Sequence, residues 1–343
     1  MSKQINKRKI EHIEIINSDE LVERNRRYFD TIHLVHRALP EINRDDIDPS
    51  ITFMDKKLSF PLLISSMTGG DHDLLKKINR NLAIAAETTG VAMGVGSQRI
   101  MFTQPKASHS FAIRKHAPTT LLCANLGAVQ FNYGFTLEHC QKAIDVLDAD
   151  ALYLHLNPLQ EAVQPEGDTN FSGLSKKISC IGKQLVVPLI LKEVGSGVSL
   201  PDVQTIIDHG IQFIDVAGTG GTSWSRIEHH RSQRLKKDNL GIVFQDWGIP
   251  TPVALRQLEP FLPRITLIAS GGIRNGIDMI KAVILGASLC GMASPFLKPA
   301  MDSSQAIIQV IEALKKEFIT AMFLLGIDKV EKLKQNEELL LNL

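Results

Sequence analysis

From residue 59 onward, short apolar runs alternate with longer stretches whose apolar residues recur at helical spacing. The runs predict strands over 61–65, 91–95, 120–125, 151–157, 188–194, 212–217, 266–270 and 288–292. Helices are expected between them over 73–88, 137–147, 174–184, 200–209, 251–262 and 276–285, with a longer closing helix near 303–325. Eight strands spaced by helices predict an α/β chain folded as a (β/α)8 TIM barrel rather than a doubly wound sheet. The barrel takes residues 59–327. Residues 1–58 read as a polar arm covering its mouth, with a helix over 19–29 and irregular chain over 34–50, and residues 328–343 read as an amphipathic tail packed on the body or on another subunit. One interval breaks the rhythm. Residues 218–250, after the sixth strand, hold both tryptophans and the basic cluster Arg226, His229, His230, Arg231, Arg234, Lys236 and Lys237. A long excursion at that rim reads as a lid, because Trp224 and Trp247 are costly to leave wet.

Composition narrows the function. A formal net charge of +1 gives no global attraction for nucleic acid or an anionic membrane, so any basic feature is local. The cysteines Cys123, Cys140, Cys180 and Cys290 are scattered singly, which argues against a disulfide framework or a zinc site and for a reducing cytoplasm. The first twenty residues are charged throughout and no stretch has the length of a membrane span, so a soluble protein is expected.

Candidate chemistry collects where the strands end. In the fourth strand Tyr153, His155 and Asn157 share one face by alternation and Leu152, Leu154 and Leu156 take the other. His155 and Asn157, with Gln160 and Glu161 just beyond, form a polar group that apolar packing alone would not need. Glu161 reads as a general acid or base, a ligand for Mg²⁺ shared with substrate phosphates, or an exposed loop carboxylate. Lys192 ends the fifth strand on the face of Ile190, and a lysine at a barrel mouth needs an anionic or carbonyl partner. A flavin fits, since a cation near its N1 and C2 carbonyl stabilises the anionic reduced form, and an internal ion pair is the alternative. Gly271-Gly272 after the seventh strand, with Arg274, and Ala293-Ser294 after the eighth form a phosphate cradle of backbone N–H groups and added charge. Arg8, Lys9 and His12 on the arm, with Arg99, supply positive charge for a phosphorylated substrate if the arm folds over the mouth.

Several segments together resemble a known family. Arg8-Lys9-x-x-His12, Met67-Thr68-Gly69-Gly70, Gly96-Ser97-Gln98-Arg99, His155-x-Asn157-Pro158-x-Gln160-Glu161, Lys192-Glu193-Val194-Gly195, Gly220-Gly221-Thr222-Ser223-Trp224 and Ser270-Gly271-Gly272-x-Arg274 closely resemble the type 2, FMN-dependent isopentenyl-diphosphate isomerases. The resemblance covers nearly the whole chain. It implies an FMN barrel that interconverts isopentenyl and dimethylallyl diphosphate using reduced FMN and Mg²⁺, with NADPH as flavin reductant, in a homo-oligomer of four or eight subunits. Carried over by motif, Met67, Thr68, Gly69, Ser97, Asn125, Lys192, Thr222, Gly272, Arg274, Ala293 and Ser294 contact FMN. Arg8, Lys9, His12, Ser97, Arg99, His155, Asn157 and Gln160 hold substrate, and Glu161 binds Mg²⁺. Gln160, His155, Lys192 and Trp224 make up the catalytic group, with the flavin itself handling protons.

An FMN-dependent 2-hydroxy-acid oxidase shares the Gly-Gly-x-Arg turn, but there a histidine followed by Gly-Gly-Arg takes the substrate proton after the sixth strand. Here Thr219-Gly220-Gly221-Thr222 stands in that place. An inosinate-dehydrogenase type needs a loop cysteine, and no cysteine falls in a glycine-rich loop. A non-catalytic flavin- or phosphate-binding protein is the reading from another class, and the polar crowding from His155 to Glu161 argues against it.

Overall fold

The computed structural model describes residues 2–24, 26–233 and 238–341. Arg234, Lys236 and Lys237 of the basic cluster, and Leu343 of the tail, lie outside them. A hairpin of β1 (Ile51–Phe53) and β2 (Lys56–Leu58) precedes the barrel strands. These are β3 (Leu62–Ile64), β4 (Ala92–Gly94), β5 (Leu122–Gly127), β6 (Ala151–His155), β7 (Leu189–Lys192), β8 (Phe213–Asp215), β9 (Thr266–Ser270) and β10 (Ala287–Met292). All are parallel and pair in chain order, and β10 pairs back onto β3 to close the barrel.

Alternation sorts the strand residues into two cores. Leu63, Ala92, Cys123, Ala151, Tyr153, Ile190, Ile268 and Leu289 fill the barrel interior. Their neighbours Leu62, Ile64, Met93, Leu122, Leu152, Leu154, Leu189, Leu191 and Leu267 face outward onto the helices. The hairpin closes the interior at its N-terminal end. Phe53 and Leu58 belong to the interior cluster, the Phe53 ring meets Phe213 at the start of β8 edge to face at 6.1 Å, and Lys56 pairs with Asp150 just before β6 at 3.1 Å. Side chains fill the interior up to Tyr153, so space opens only at the carboxyl ends of the strands.

The helices are α1 (Ser2–Ser18), α2 (Asp73–Thr89), α3 (Leu137–Leu147), α4 (Pro158–Val163), α5 (Leu174–Gly182), α6 (Leu200–Asp208), α7 (Trp224–Gln233), α8 (Leu240–Val243), α9 (Thr251–Leu258), α10 (Gly276–Ile284), α11 (Ser294–Asp302) and α12 (Ser304–Leu325). Every helix expected between strands is present. The one expected over 251–262 passes into a 3-10 turn at Glu259–Phe261, where Pro260 lacks the N–H to continue. The second strand–helix unit departs from the rhythm, with three 3-10 turns between β4 and β5.

The helix expected over 19–29 does not form. Two short 3-10 turns, Glu20–Val22 and Tyr28–Thr31, flank chain that spends its hydrogen bonds on the loop after β8. Glu23 bridges Thr222, Arg24 N–H donates to the Gly221 carbonyl at 3.2 Å, and Ser223 N–H donates to the Val22 carbonyl at 2.8 Å. A backbone already paired across space gains nothing from coiling. The basic excursion is likewise ordered as α7, and its cations answer the acids of the arm. Asp19 accepts from Arg226 and, at 2.6 Å, from His230, while Arg231 pairs with Glu11 at 3.3 Å and with Glu166. Of the two tryptophans only Trp224 is sheltered. Trp247 is 63% exposed against the edge of Phe244, so its burial cannot be the reason for the lid. The tail packs on its own barrel through buried Leu333, Leu339 and Leu340.

Asp19→Ala removes the acceptor shared by Arg226 and His230. At a partly exposed carboxylate this is worth about 1.5 kcal/mol, or about tenfold in local opening. Limited proteolysis of the arm is therefore expected to speed up about tenfold with the barrel intact, and an unchanged cleavage rate contradicts the clasp.

Candidate active site

One rung of the barrel sets the floor of the site. Gly127, His155, Lys192 and Asp215 are successive register partners across β5 to β8. A side chain at Gly127 would sit 3.1 Å from His155 Nε2, so glycine there gives the imidazole its space. Above this rung lies a cavity of about 410 Å³.

Its walls bring together almost every residue the motifs single out. Met67, Thr68, Ser97, Asn125, Lys192, Thr222, Gly272, Arg274, Ala293 and Ser294 line it, as do Arg8, Lys9, His12, Arg99, His155, Asn157, Gln160, Glu161 and Trp224. Gly69 does not. It packs against the Phe111 ring behind the wall.

Several groups have settled protonation and orientation. The Asn125 amide donates to the Val95 carbonyl at 3.0 Å, which turns its oxygen toward His155 Nδ1 at 2.8 Å. His155 therefore carries its proton on Nδ1 and keeps the Nε2 lone pair. Burial, followed by the charges of Lys192, Lys9, Arg8 and Arg99, pulls its pKa to about 3, so the ring is neutral. Lys192 donates to the backbone carbonyl of Glu193 at 2.6 Å and lies 5.9 Å from the Tyr153 ring. Burial lowers its pKa, against the opposing pull of Asp215 and Glu193. The Glu193 carboxylate turns away from the lysine, as its strand face requires, and caps the N–H groups of Val194, Gly195 and Ser196.

Glu161 is held on both oxygens. Asn157 donates to one at 2.8 Å, while Asp168 N–H at 2.7 Å and Gln164 donate to the other. Burial still raises its pKa. Among the described residues no group of three or more His, Cys, Asp or Glu is placed to hold a metal. A single oriented carboxylate on the wall fits a hydrated divalent cation that takes its other ligands from water and substrate. Asn157, itself almost fully buried, serves mainly to hold Glu161 and Gln160, the latter at 3.1 Å.

Glu228 carried no role in the sequence, yet it joins three elements. It lies on α7, fully buried, and contacts His12 of the arm at 3.1 Å, Gln160 of α4 at 2.9 Å and Arg231. Burial alone would raise its carboxyl, but His12, Arg231 and Gln160 outweigh that and bring it to about 2. The signal was a lone acid in a run of cations. Asp168, which holds Arg99 at 2.7 Å and Gln130 at 3.0 Å, gave no local signal in its loop. Asp215 did, as a carboxylate inside an apolar run.

The opposite wall suits a phosphorylated planar group. Gly271 and Gly272 take φ of +92° and +75° and press against Gly218 and Gly220, leaving bare backbone beside the cavity. The N-terminus of α11 opens at Ala293 and Ser294. Ser65 Oγ, Ser66 Oγ and Thr68 Oγ1 are buried on this wall without a protein partner, as expected where a ligand supplies one. Arg274 is gripped by Asp278 at 2.7 Å and by Asp30 of the arm, and those bonds raise its pKa.

The family model described as FMN-dependent dehydrogenase matches residues 1–108 and 159–339. A curated isopentenyl-diphosphate delta-isomerase of Hydrogenovibrio crunogenus is 55% identical over 98% of this chain and 98% of its own. One of Paracoccus zeaxanthinifaciens is 55% identical over 97% of this chain and 96% of its own. Among solved structures, a flavocytochrome b2 variant with sulfite bound superposes with a TM-score of 0.67 at 20% identity, covering 93% of this chain and 78% of that one, which carries the barrel fold alone. Identity at this level over the whole length, on a barrel whose mouth gathers the family's motifs around one cavity, places the chain among the type 2, FMN-dependent isopentenyl-diphosphate delta-isomerases.

Proposed function

We propose that the enzyme interconverts isopentenyl and dimethylallyl diphosphate by an allylic proton shift in this cavity, with reduced FMN and Mg²⁺ bound and NADPH needed only to reduce the flavin. The observation that carries the reading is the cavity's mixed lining. Arg8, Lys9 and Arg99, whose charges all act on His155, suit a diphosphate, while Ile13, Ile16, Met67 and Trp224 offer apolar surface to a short hydrocarbon. The 2-hydroxy-acid oxidase reading lacks its proton-abstracting histidine, since Thr219-Gly220-Gly221 occupies the loop after β8.

An allylic shift protonates an alkene carbon and removes a proton two carbons away, with cationic character between, so it needs a dry acid–base group. Reduced FMN, when bound, supplies that acid–base chemistry beside the hydrocarbon. The chain's residues do the rest. Lys192 stands where its charge favours the reduced, anionic flavin. Gln160, fixed by Glu228 and Asn157, orients the reacting end. His155, neutral, offers its Nε2 as an acceptor, and Trp224, edge-on to His12 at 5.2 Å, keeps water from the cation. Glu161 would hold Mg²⁺, which would neutralise diphosphate charge, and Arg8, Lys9 and His12 reach the same cavity from the arm.

The reading extends to a homo-oligomer of four or eight subunits, supported by the exposed Leu21, Val243 and Trp247 on the arm and lid. Four unpaired cysteines support a reducing, cytoplasmic location. No helix among the described residues is long and apolar enough to cross a membrane.

The direct test incubates anaerobic, reduced enzyme with isopentenyl diphosphate and Mg²⁺. Dimethylallyl diphosphate is expected with no reductant consumed, and turnover of a 2-hydroxy acid in its place overturns the reading. The pH dependence should report Lys9, whose pKa burial and then Arg8 lower to about 8. The charged form binds the diphosphate, so KM is expected to rise as pH passes about 8. Lys9→Met should show the raised KM already at neutral pH, and a wild-type KM flat through that range contradicts the assignment. Asn157→Ala leaves one Glu161 oxygen without its donor, and is expected to weaken activation by Mg²⁺ by roughly 10-fold or more, restored by excess Mg²⁺. An unchanged Mg²⁺ requirement removes Asn157 as the residue that positions Glu161 for the metal, and an unchanged requirement in Glu161→Gln removes Glu161 as the ligand.

A further inference from the structure

Beneath the cavity, and not lining it, lies a carboxylate with no evident packing role. Asp215 is fully buried at the end of β8, in register with Lys192 of β7, and both follow interior positions of their strands. One oxygen, Oδ1, accepts from Ser270 Oγ at 2.6 Å and from Ala217 N–H at 3.3 Å. The other, Oδ2, and the fully buried Tyr153 hydroxyl have no partner but each other, in a contact longer than an ordinary hydrogen bond. That hydroxyl lies close enough for each group to bias the other's ionisation. A carboxylate sealed from water persists as an anion only beside a cation. Lys192, its register partner on β7, supplies that charge without a direct ion pair, its ammonium being bonded to the Glu193 carbonyl. The other titratable neighbours of the pair are Tyr153 and His155 on β6, Cys123 on β5 and Glu193 on β7. His155 is neutral, burial holds the Tyr153 hydroxyl and the Cys123 thiol protonated, and the Glu193 carboxylate is spent on backbone N–H groups.

We propose that Asp215 is the buried counter-ion of Lys192, held by Ser270, and that through the lysine it is a positioning residue that sets the charge beside the flavin. The arrangement is a relay of one charge. Ser270 and the Ala217 N–H orient the carboxylate, the carboxylate keeps the ammonium protonated, and the ammonium meets the flavin edge. Without Asp215 the lysine keeps only the smaller pull of Glu193 against burial, and burial favours its neutral form. The inference rests on the proposed place of Lys192 against FMN, but not on the identity of the substrate.

The test reads the midpoint potential of the bound FMN as a function of pH in the holoenzyme, with no substrate. In the wild type, loss of the Lys192 proton appears as a fall in potential at alkaline pH. Asp215→Asn keeps the shape of the side chain, and should move that fall downward by about 1–3 pH units, the effect of removing a close opposite charge. Lys192→Met should show the low potential throughout. The double variant Asp215→Asn/Lys192→Met should match Lys192→Met, because Asp215 acts only through the lysine. Ser270→Ala loosens the same carboxylate and should shift the fall in the same direction by less, which keeps the test decisive if Asp215→Asn fails to fold. A fall that stays at the wild-type pH, or moves to higher pH, in Asp215→Asn overturns the inference alone. An unchanged potential in Lys192→Met overturns it together with the lysine's place at the flavin.

Discussion

The closed form of this molecule hangs on the buried carboxylate of Glu228. The arm contributes His12, the loop after β6 contributes Gln160, the lid helix contributes Arg231, and all three converge on it. Desolvating a carboxylate costs several kcal/mol, and only a full set of donors offsets that cost. The three elements therefore hold one another in place: removing any donor exposes the charge of Glu228 to an interior that cannot solvate it. The cavity roof and the placement of Gln160 on its wall are set by one electrostatic requirement.

Below that roof the barrel solves a different problem. A (β/α)8 interior is ordinarily filled, and here it is filled from the hairpin plug up to Tyr153. The next rung then turns polar with Asn125, His155, Lys192, Asp215 and Ser270, and glycines at Gly127 and Gly291 leave their neighbours room. Polar groups at that depth are tolerable because each finds a partner on an adjacent strand, Asn125 with His155 and Ser270 with Asp215. The result is a floor of fixed charges beneath a cavity of about 410 Å³, with a backbone cradle on one wall and an oriented carboxylate on the other.

How legible this was depended on how local the governing physics is. Strand alternation is local, so the inward face of Tyr153 and His155, the outward leucines and all eight barrel strands could be read from spacing. Motif residues such as Gln160, Lys192 and Gly272 were found for the same reason, each fixed by its place at a strand end. The arm was misread where tertiary pairing overrode propensity, since the segment expected over 19–29 as a helix gives its backbone to Gly221 and Val22's partner Ser223. Glu228 and Asp168 were passed over because their partners lie far along the chain, His12 being 216 residues from Glu228, whereas Asp215 was legible as a carboxylate inside an apolar run and was missed. Trp247 shows the reverse error. A large apolar residue was taken as proof of burial, although surfaces commonly keep such residues exposed.

The central claim, that one buried carboxylate unites the arm, α4 and α7, is tested most directly by hydrogen–deuterium exchange of FMN-loaded Glu228→Gln. The account predicts that residues 8–18, 158–163 and 224–232 gain exchange together while strands β3 to β10 keep their protection. Faster exchange confined to 224–232, with the arm and the loop after β6 as protected as before, would contradict it.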